Sequence, residues 1–189
     1  TGLVDTLLSA ARVEAGAAPV RVEAADAGDI IAAALEDVRR ELAGVNVALT
    51  APDTLPLAAA DPALAVRALA NVLANAARHG RQSPITVAAR CEDHHIVIDV
   101  GDRGPGLGDD PEHLFEKFVR GVAGDGRPPG LGLGLSLARG FMRSQGGNLS
   151  AANRDGGGAL FTLSFPCWTK AARAFVHRPG AARGLQDLC

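Results

Sequence analysis

Two asparagines lie four positions apart, at Asn71 and Asn75, and Arg78 follows three positions later. On a helix this spacing places the three side chains on one face. An amide oxygen is a hard ligand that suits Mg²⁺, and an arginine can pair with a phosphate. Two buried asparagines that cap neighbouring backbone are the structural alternative, and the motif alone leaves both interpretations open.

Asp102 directly follows an apolar stretch and precedes Gly104 and Gly106. A carboxylate at the end of a strand can accept a hydrogen bond from an exocyclic amine. The glycines allow the backbone to approach a flat ring closely. An ordinary type I or II turn is the alternative for such a segment.

A second glycine run consists of Gly130, Gly132 and Gly134, directly before a helical pattern. Glycines at the start of a helix expose backbone N–H groups and the positive end of the helix dipole, which favours phosphate. A flexible linker is the alternative. The close junction with a well-patterned helix favours the phosphate interpretation.

The hydrophobic pattern predicts the elements that position these motifs. Asp61 is a predicted N-cap with Pro62 in the first turn, and the helix that it opens ends at His79–Gly80. Other predicted strands are Pro19–Glu23, Val45–Leu49, Ile85–Ala89, Ile96–Val100, Leu149–Asn153 and Ala159–Phe165, and other predicted helices run from Ile30 to Leu42, near Glu112–Phe118 and over Leu133–Gln145. This order predicts an α/β two-layer sandwich, a mixed sheet with helices on one face.

The composition limits the function classes. The chain has 189 residues, 47% of them hydrophobic, which is enough for one core. A net charge of −2 and the absence of tyrosine argue against nucleic-acid binding. The three cysteines are widely spaced and predict reduced thiols. No apolar run in the sequence has the length of a membrane span, so we expect no membrane segment in this chain.

Four segments, taken in order, carry a family resemblance: NVLANAARH (71–79), DRGPGLG (102–108), FEKFVR (115–120) and GLGLGL (130–135). They resemble the N, G1, F and G2 boxes of the ATP-binding domain of two-component histidine kinases. This domain belongs to the wider ATPase superfamily of gyrase, chaperones and mismatch-repair proteins. The resemblance covers about residues 20–166 and implies the Bergerat fold. The stretch 139–166 is most similar to potassium-responsive, turgor-linked sensor kinases.

The resemblance implies roles for single residues, with ATP and Mg²⁺ as cofactors. Asn75 would be the Mg²⁺ ligand with Asn71 in support, and both would act with Arg78 as the catalytic set. Asp102 would bind the adenine amine, and Phe115 and Phe118 would anchor a mobile lid. The complete implied ATP-binding set is Asn71, Asn75, Arg78, His79, Asp102, Gly104, Gly106, Leu107, Phe118, Arg120, Gly130, Leu131, Gly132, Leu133 and Gly134. Leu131 and Val119 depart from the family pattern, which usually has a small residue and an aromatic residue there.

Three segments are expected along the chain. Residues 1–16 resemble the end of a dimerising, phosphoacceptor helical hairpin, although a helix packed on the domain is also compatible with their pattern. Residues 17–166 would form the ATP-binding catalytic domain. Residues 167–189 form a tail of unknown role, either a short basic helix or a disordered segment. The expected location is cytoplasmic, within a parent protein that can lie in the inner membrane.

The phosphoacceptor motif of the family is missing from the sequence. We therefore expect the acceptor histidine outside this chain, either in a longer parent protein or on a separate partner of a split kinase, and a response regulator as a further partner. Two other functions stay open. One is an ATP-responsive module that transfers no phosphate, and the other is a serine kinase that regulates a sigma factor. In such serine kinases a glutamate usually occupies the position of Asn71, which argues against this function.

Overall fold

The computed structural model describes residues 20–80, 83–116 and 132–169. The predicted hairpin segment 1–16, residues 117–131 of the predicted lid and the tail after residue 169 lie outside these ranges. The helices and strands are β1 (Glu23–Ala25), α1 (Ala27–Asp37), β2 (Val47–Thr50), β3 (Ala58–Ala60), α2 (Pro62–His79), β4 (Ile85–Glu92), β5 (His95–Gly101), a 3₁₀ helix (Pro111–Phe115), α3 (Gly134–Ser144), β6 (Asn148–Asn153) and β7 (Ala159–Pro166).

Within the described ranges, five strands form a mixed sheet in the order β2-β4-β5-β7-β6, and β1 pairs with β3 in a separate ribbon. The β2–β4 pair is parallel, and the other pairs of the main sheet are antiparallel. Strand β5 is central, and the residue that follows it is Asp102. The sheet therefore places Asp102 at the end of its most protected strand.

The core lies between one face of this sheet and the helices. Every second residue of β5 and β7 is fully buried there, as in Ile98 and Leu163, because successive side chains of a strand point to opposite faces. The opposite face is more polar. On it, Thr162 Oγ1 donates a hydrogen bond to Asp99 Oδ1 at 2.7 Å, and Arg90 pairs with the same aspartate. The hydrogen bond from Arg90 to Asp99 raises the pKa of the Arg90 guanidinium. The predicted two-layer α/β sandwich is confirmed.

Helix α2 begins as the sequence predicts. Asp61 Oδ1 accepts hydrogen bonds from the N–H groups of Ala63 and Leu64, and Pro62 occupies the first turn. Gln145, which is 1% exposed at the end of α3, accepts a hydrogen bond from the Asp61 N–H at 2.8 Å. The start of α2 and the end of α3 are thereby fixed to each other.

Several predicted bounds were wrong. The first strand is Glu23–Ala25 rather than Pro19–Glu23, because its position follows its partner Ala58–Ala60, which the sequence did not predict as a strand. Helix α1 ends at Asp37, and turns rather than helix follow as far as residue 44. The helix predicted near Glu112–Phe118 is a 3₁₀ helix over Pro111–Phe115. No helix in the part of the chain that the structure describes is long and apolar enough to cross a membrane.

Candidate functional site

Asp102 is 3% exposed. Its N–H donates to the Ala159 carbonyl at 2.9 Å, which continues the pairing of β5 with β7 by one residue. Its carboxylate Oδ1 accepts from the N–H of Gly104 at 2.7 Å and from the N–H of Ala159 at 3.2 Å. Among the described residues, no donor forms a hydrogen bond with Oδ2. One carboxylate oxygen is thus held by two backbone N–H groups, and the other is unbonded within these ranges.

The loop after Asp102 packs directly on the end of α2. A Cβ atom at Gly104 would lie 2.6 Å from the carbonyl oxygen of His79 and 3.2 Å from the Cα of Gly80. A Cβ at Gly80 would in turn lie 3.3 Å from the Cβ of Asp102. Any side chain at residue 104 would separate the loop from the helix, so this glycine is required by close backbone approach.

Asn153, at the end of β6, holds the second part of this loop. Its Oδ1 accepts from the Leu107 N–H at 2.7 Å, and its Nδ2 donates to the Gly108 carbonyl at 2.7 Å. Gly106 has φ +84°, and a Cβ there would lie 2.8 Å from Asn153 Oδ1. The predicted residues Gly106 and Leu107 therefore take their position from Asn153, which the sequence analysis did not single out.

The turn between β6 and β7 closes over the backbone of Asp102. Arg154 Nη1 donates to the Asp102 carbonyl at 3.1 Å. Gly158 has φ +97°, and a Cβ there would lie 2.1 Å from the same carbonyl oxygen. The glycine-rich sequence at these positions predicted a turn, but it did not predict the contact of this turn with Asp102.

The polar residues of α2 lie along one side of the helix. Asn71 and Asn75 are half-buried, whereas Arg78 and His79 at the helix end are exposed. Within the described ranges, neither amide forms a side-chain hydrogen bond, so the alternative that they cap neighbouring backbone finds no support. Both amides keep their oxygens available for another ligand.

The start of α3 lies beside Asn71. A Cβ at Gly134, the first residue of α3, would lie 3.8 Å from Asn71 Oδ1. Gly132 has φ +67°, and Leu133 is the N-cap residue without a side-chain hydrogen bond to the helix. The first N–H groups of α3 therefore have no side-chain cap, and they carry the positive end of the helix dipole.

A charged residue of α3 contacts the predicted F-box region. The guanidinium of Arg139 lies 4.4 Å from the ring centroid of Phe115, and its Nη1 lies 2.6 Å from Glu112 Oε2. Phe115 is 8% exposed. The 3₁₀ helix before residue 116 is thus attached to α3, whose first residue is Gly134. Phe118, Arg120, Gly130 and Leu131 lie outside the described residues.

The structure brings together part of the predicted set. Gly104 contacts the end of α2 at His79, and Gly134 lies beside Asn71. Asp102, Gly106 and Leu107 share the loop that Asn153 and Arg154 hold. Asn75 and Arg78 are on the same helix as Asn71. The arrangement has a buried carboxylate held at the end of β5 and, beside Asn71, a helix N-terminus without a side-chain cap.

Residues 60–169 match the model of the family described as "Histidine kinase-, DNA gyrase B-, and HSP90-like ATPase". The Sensor protein KdpD of Escherichia coli K12 is 36% identical over 169 residues, which are 88% of this chain and 19% of that protein. The histidine-protein kinase AfsQ2 of Streptomyces coelicolor is 39% identical over 165 residues, 87% of this chain and 30% of that protein.

Among solved structures, full-length ShkA in complex with AMPPNP superposes with a TM-score of 0.75 at 26% identity, covering 89% of this chain and 36% of that one. The fold and the site define an ATPase-type domain of the kind found in sensor kinases. The chain belongs to the histidine kinase-, DNA gyrase B- and HSP90-like ATPase family. It spans less than a third of the length of the two curated relatives.

The resemblance to sensor histidine kinases is confirmed by these relatives. KdpD proteins occur among them beside AfsQ2 and MtrB. The narrower assignment to potassium-responsive kinases stays a prediction.

Proposed function

We propose that this chain is the ATP-binding catalytic domain of a two-component sensor histidine kinase and transfers the γ-phosphate of ATP to a histidine outside the chain. The observation that carries the proposal is the Asp102 carboxylate, which is 3% exposed, fixed through Oδ1 and unbonded at Oδ2 among the described residues. Family membership and the names of the relatives support the same function.

Asp102 would recognise the adenine by accepting a hydrogen bond from its exocyclic amine. A carboxylate oxygen without a protein donor, on a side chain that is otherwise buried, favours a ligand that supplies one. Gly104, Gly106 and Leu107 would form the surface against the ring, and His79 would lie beside the base or the ribose. The AMPPNP in the ShkA structure supports a nucleotide as the ligand of this fold.

The α2 amides would hold the metal ion. Asn75 would be the Mg²⁺ ligand and Asn71 would support it, and the residues fit this role because both amides are unbonded within the described ranges. An amide oxygen is a hard donor, and Mg²⁺ usually binds few protein groups together with phosphate oxygens. When bound, the ion would neutralise negative charge on the phosphates.

The phosphates would lie between Arg78 and the start of α3. The N–H groups after Gly132 and Gly134 have no side-chain cap and suit an anion. Arg120, Phe118, Gly130 and Leu131 would complete this part of the site. In phosphoryl transfer, catalysis consists mainly of positioning and electrostatic stabilisation, so the chain itself needs no covalent intermediate.

The phosphate acceptor would be a histidine on a helical hairpin, either in a longer parent protein or on a separate partner. A response regulator would be the next partner in the pathway. The domain would act in the cytoplasm, with residues 17–166 as the catalytic unit. An ATP-responsive module without transfer remains the alternative function.

Calorimetric titration with Mg·ATP tests the nucleotide assignment. Asp102→Asn should weaken ATP binding by about 1–3 kcal/mol, a factor of roughly 5 to 150. Asp99→Asn is a matched control, since Asp99 is on the same strand but bonds Thr162 and Arg90 on the other face of the sheet. Equal ATP affinity of Asp102→Asn and the parent protein would remove the adenine assignment.

A further inference from the structure

Two cysteines that are far apart in the sequence lie side by side in the fold. Cys91 is in β4, and Cys167 directly follows β7. Their Sγ atoms are 3.8 Å apart, and both thiols are free. Cys91 is exposed and Cys167 is half-buried, so a reagent in solution can reach the pair through Cys91. The sequence analysis predicted reduced thiols and gave no sign of this proximity.

The register of the sheet produces the contact. Cys91 pairs with Ile96, and Ile96 pairs with Phe165, two residues before Cys167. Residues two apart on a strand share a face, so Cys167 emerges on the same side as Cys91. The N–H of Cys167 donates to the His94 carbonyl at 2.8 Å, and Cys167 also bridges to Ala58. The backbone on both sides of the pair is therefore held by hydrogen bonds.

We propose that Cys91 and Cys167 are a redox-reactive dithiol that a small-molecule disulfide, such as glutathione disulfide, oxidises to an intramolecular disulfide. The sulfur atoms are 3.8 Å apart, and because β5 lies between β4 and β7, a bond of about 2.05 Å requires the end of β7 to move toward β4. The pair lies at one end of the sheet, outside the candidate nucleotide site.

The reaction has two exchange steps. The exposed Cys91 thiolate attacks one sulfur of glutathione disulfide, forms a mixed disulfide and releases one glutathione thiolate. Cys167 then loses its proton and attacks Cys91 Sγ, which releases the second glutathione thiolate. Two cysteine thiols are oxidised and one glutathione disulfide is reduced. The two protons from the cysteines end on the two glutathione molecules.

The disulfide would fasten the end of β7 to β4. Through the bridge between Cys167 and Ala58, it would also restrain β3, which leads into Asp61 and α2. Asp102 follows the opposite end of β5, since the cysteines lie at its His95 end. We therefore expect oxidation to stabilise the fold and to leave ATP affinity within about twofold, which corresponds to about 0.4 kcal/mol.

The test is oxidation of the reduced 189-residue chain with excess glutathione disulfide, followed by peptide mapping and thermal unfolding. The expected result is a Cys91–Cys167 linked peptide in a monomer and a rise in Tm of roughly 5–15 °C, reversed by dithiothreitol. Cys91→Ser and Cys167→Ser should each abolish both effects, whereas Cys189→Ser should keep them.

Three results would overturn the proposal: glutathione retained on Cys91 without a linked peptide, a linkage that involves Cys189, or disulfides only between chains. These readouts come from the wild-type chain and do not require the variants to fold. They are also independent of the proposed kinase function, because a chain that binds no ATP can still form or fail to form this disulfide.

Discussion

Gly104 and His79 are in such close contact that a Cβ at residue 104 would lie 2.6 Å from the His79 carbonyl oxygen. The two residues belong to different motifs, the loop after β5 and the end of α2. Their contact joins the side of the candidate site that carries Asp102 to the helix that carries the asparagines. The geometry of the site therefore depends on a backbone contact as well as on its polar side chains.

Gly104→Ala should weaken ATP binding and lower stability. The added methyl group meets backbone rather than a flexible side chain, so the loop must shift, at a cost of about 1–3 kcal/mol. Gly140→Ala is the matched control, since a Cβ there meets nothing within 4 Å and alanine favours a helix. Urea unfolding and calorimetric titration check both variants. If Gly104→Ala behaved like Gly140→Ala, the contact would have no role in positioning the loop.

Asn75→Asp should reduce Mg·ATP affinity by more than about tenfold, or 1.4 kcal/mol. The substitution places a new negative charge near the phosphates and replaces an amide ligand of the metal ion by a carboxylate. Asn148→Asp makes the same chemical change at an exposed position of β6, paired with Ser164 far from Asp102 along the sheet. Titration with ATP at several Mg²⁺ concentrations is the measurement. Unchanged magnesium dependence in Asn75→Asp would remove Asn75 from the metal site.

Closure of the proposed disulfide should become faster as pH rises. In the dithiol, burial and then the hydrogen bond with Cys91 raise the pKa of the Cys167 thiol to about 11, and in the mixed disulfide burial still keeps this pKa above its usual value. Below the pKa of Cys167 the attacking thiolate is a minor species, whose fraction increases about tenfold for each pH unit. Glutathione release after a pH jump from the mixed disulfide measures this step. A closure rate that is the same at pH 7 and pH 9 would contradict the assigned attacking group.

Local patterns predicted the parts of the fold that depend on near neighbours. The N-cap at Asp61 and the buried alternation of β5 follow from short-range chemistry, and both are confirmed. Strand β3 was missed because three alanines have little strand preference, and its conformation comes from its partner β1. The position of β1 was wrong for the same reason, since a strand forms where its partner lies.

Contacts between segments that are distant along the chain could not be predicted from the sequence. Asn153 and Arg154 hold the loop around Asp102 from about 50 positions further along the chain, and no spacing rule connects a turn to a strand end at that distance. Cys91 and Cys167 meet only because β5 brings β4 and β7 into one sheet. The sequence thus offered candidate site residues, which stay predictions, but it did not predict the residues that hold their loop.

Transfer of phosphate tests the central claim most directly. The chain is incubated with Mg·ATP labelled at the γ-phosphate and with a separately supplied phosphoacceptor hairpin, and acid-labile, base-stable label on the hairpin histidine is measured. The account predicts labelling of the hairpin by the parent chain. At low ATP, Asp102→Asn should lose at least about fivefold of the labelling rate, and Asp99→Asn should show no such loss. ATP binding without label on any histidine hairpin would contradict kinase function and favour an ATP-responsive module.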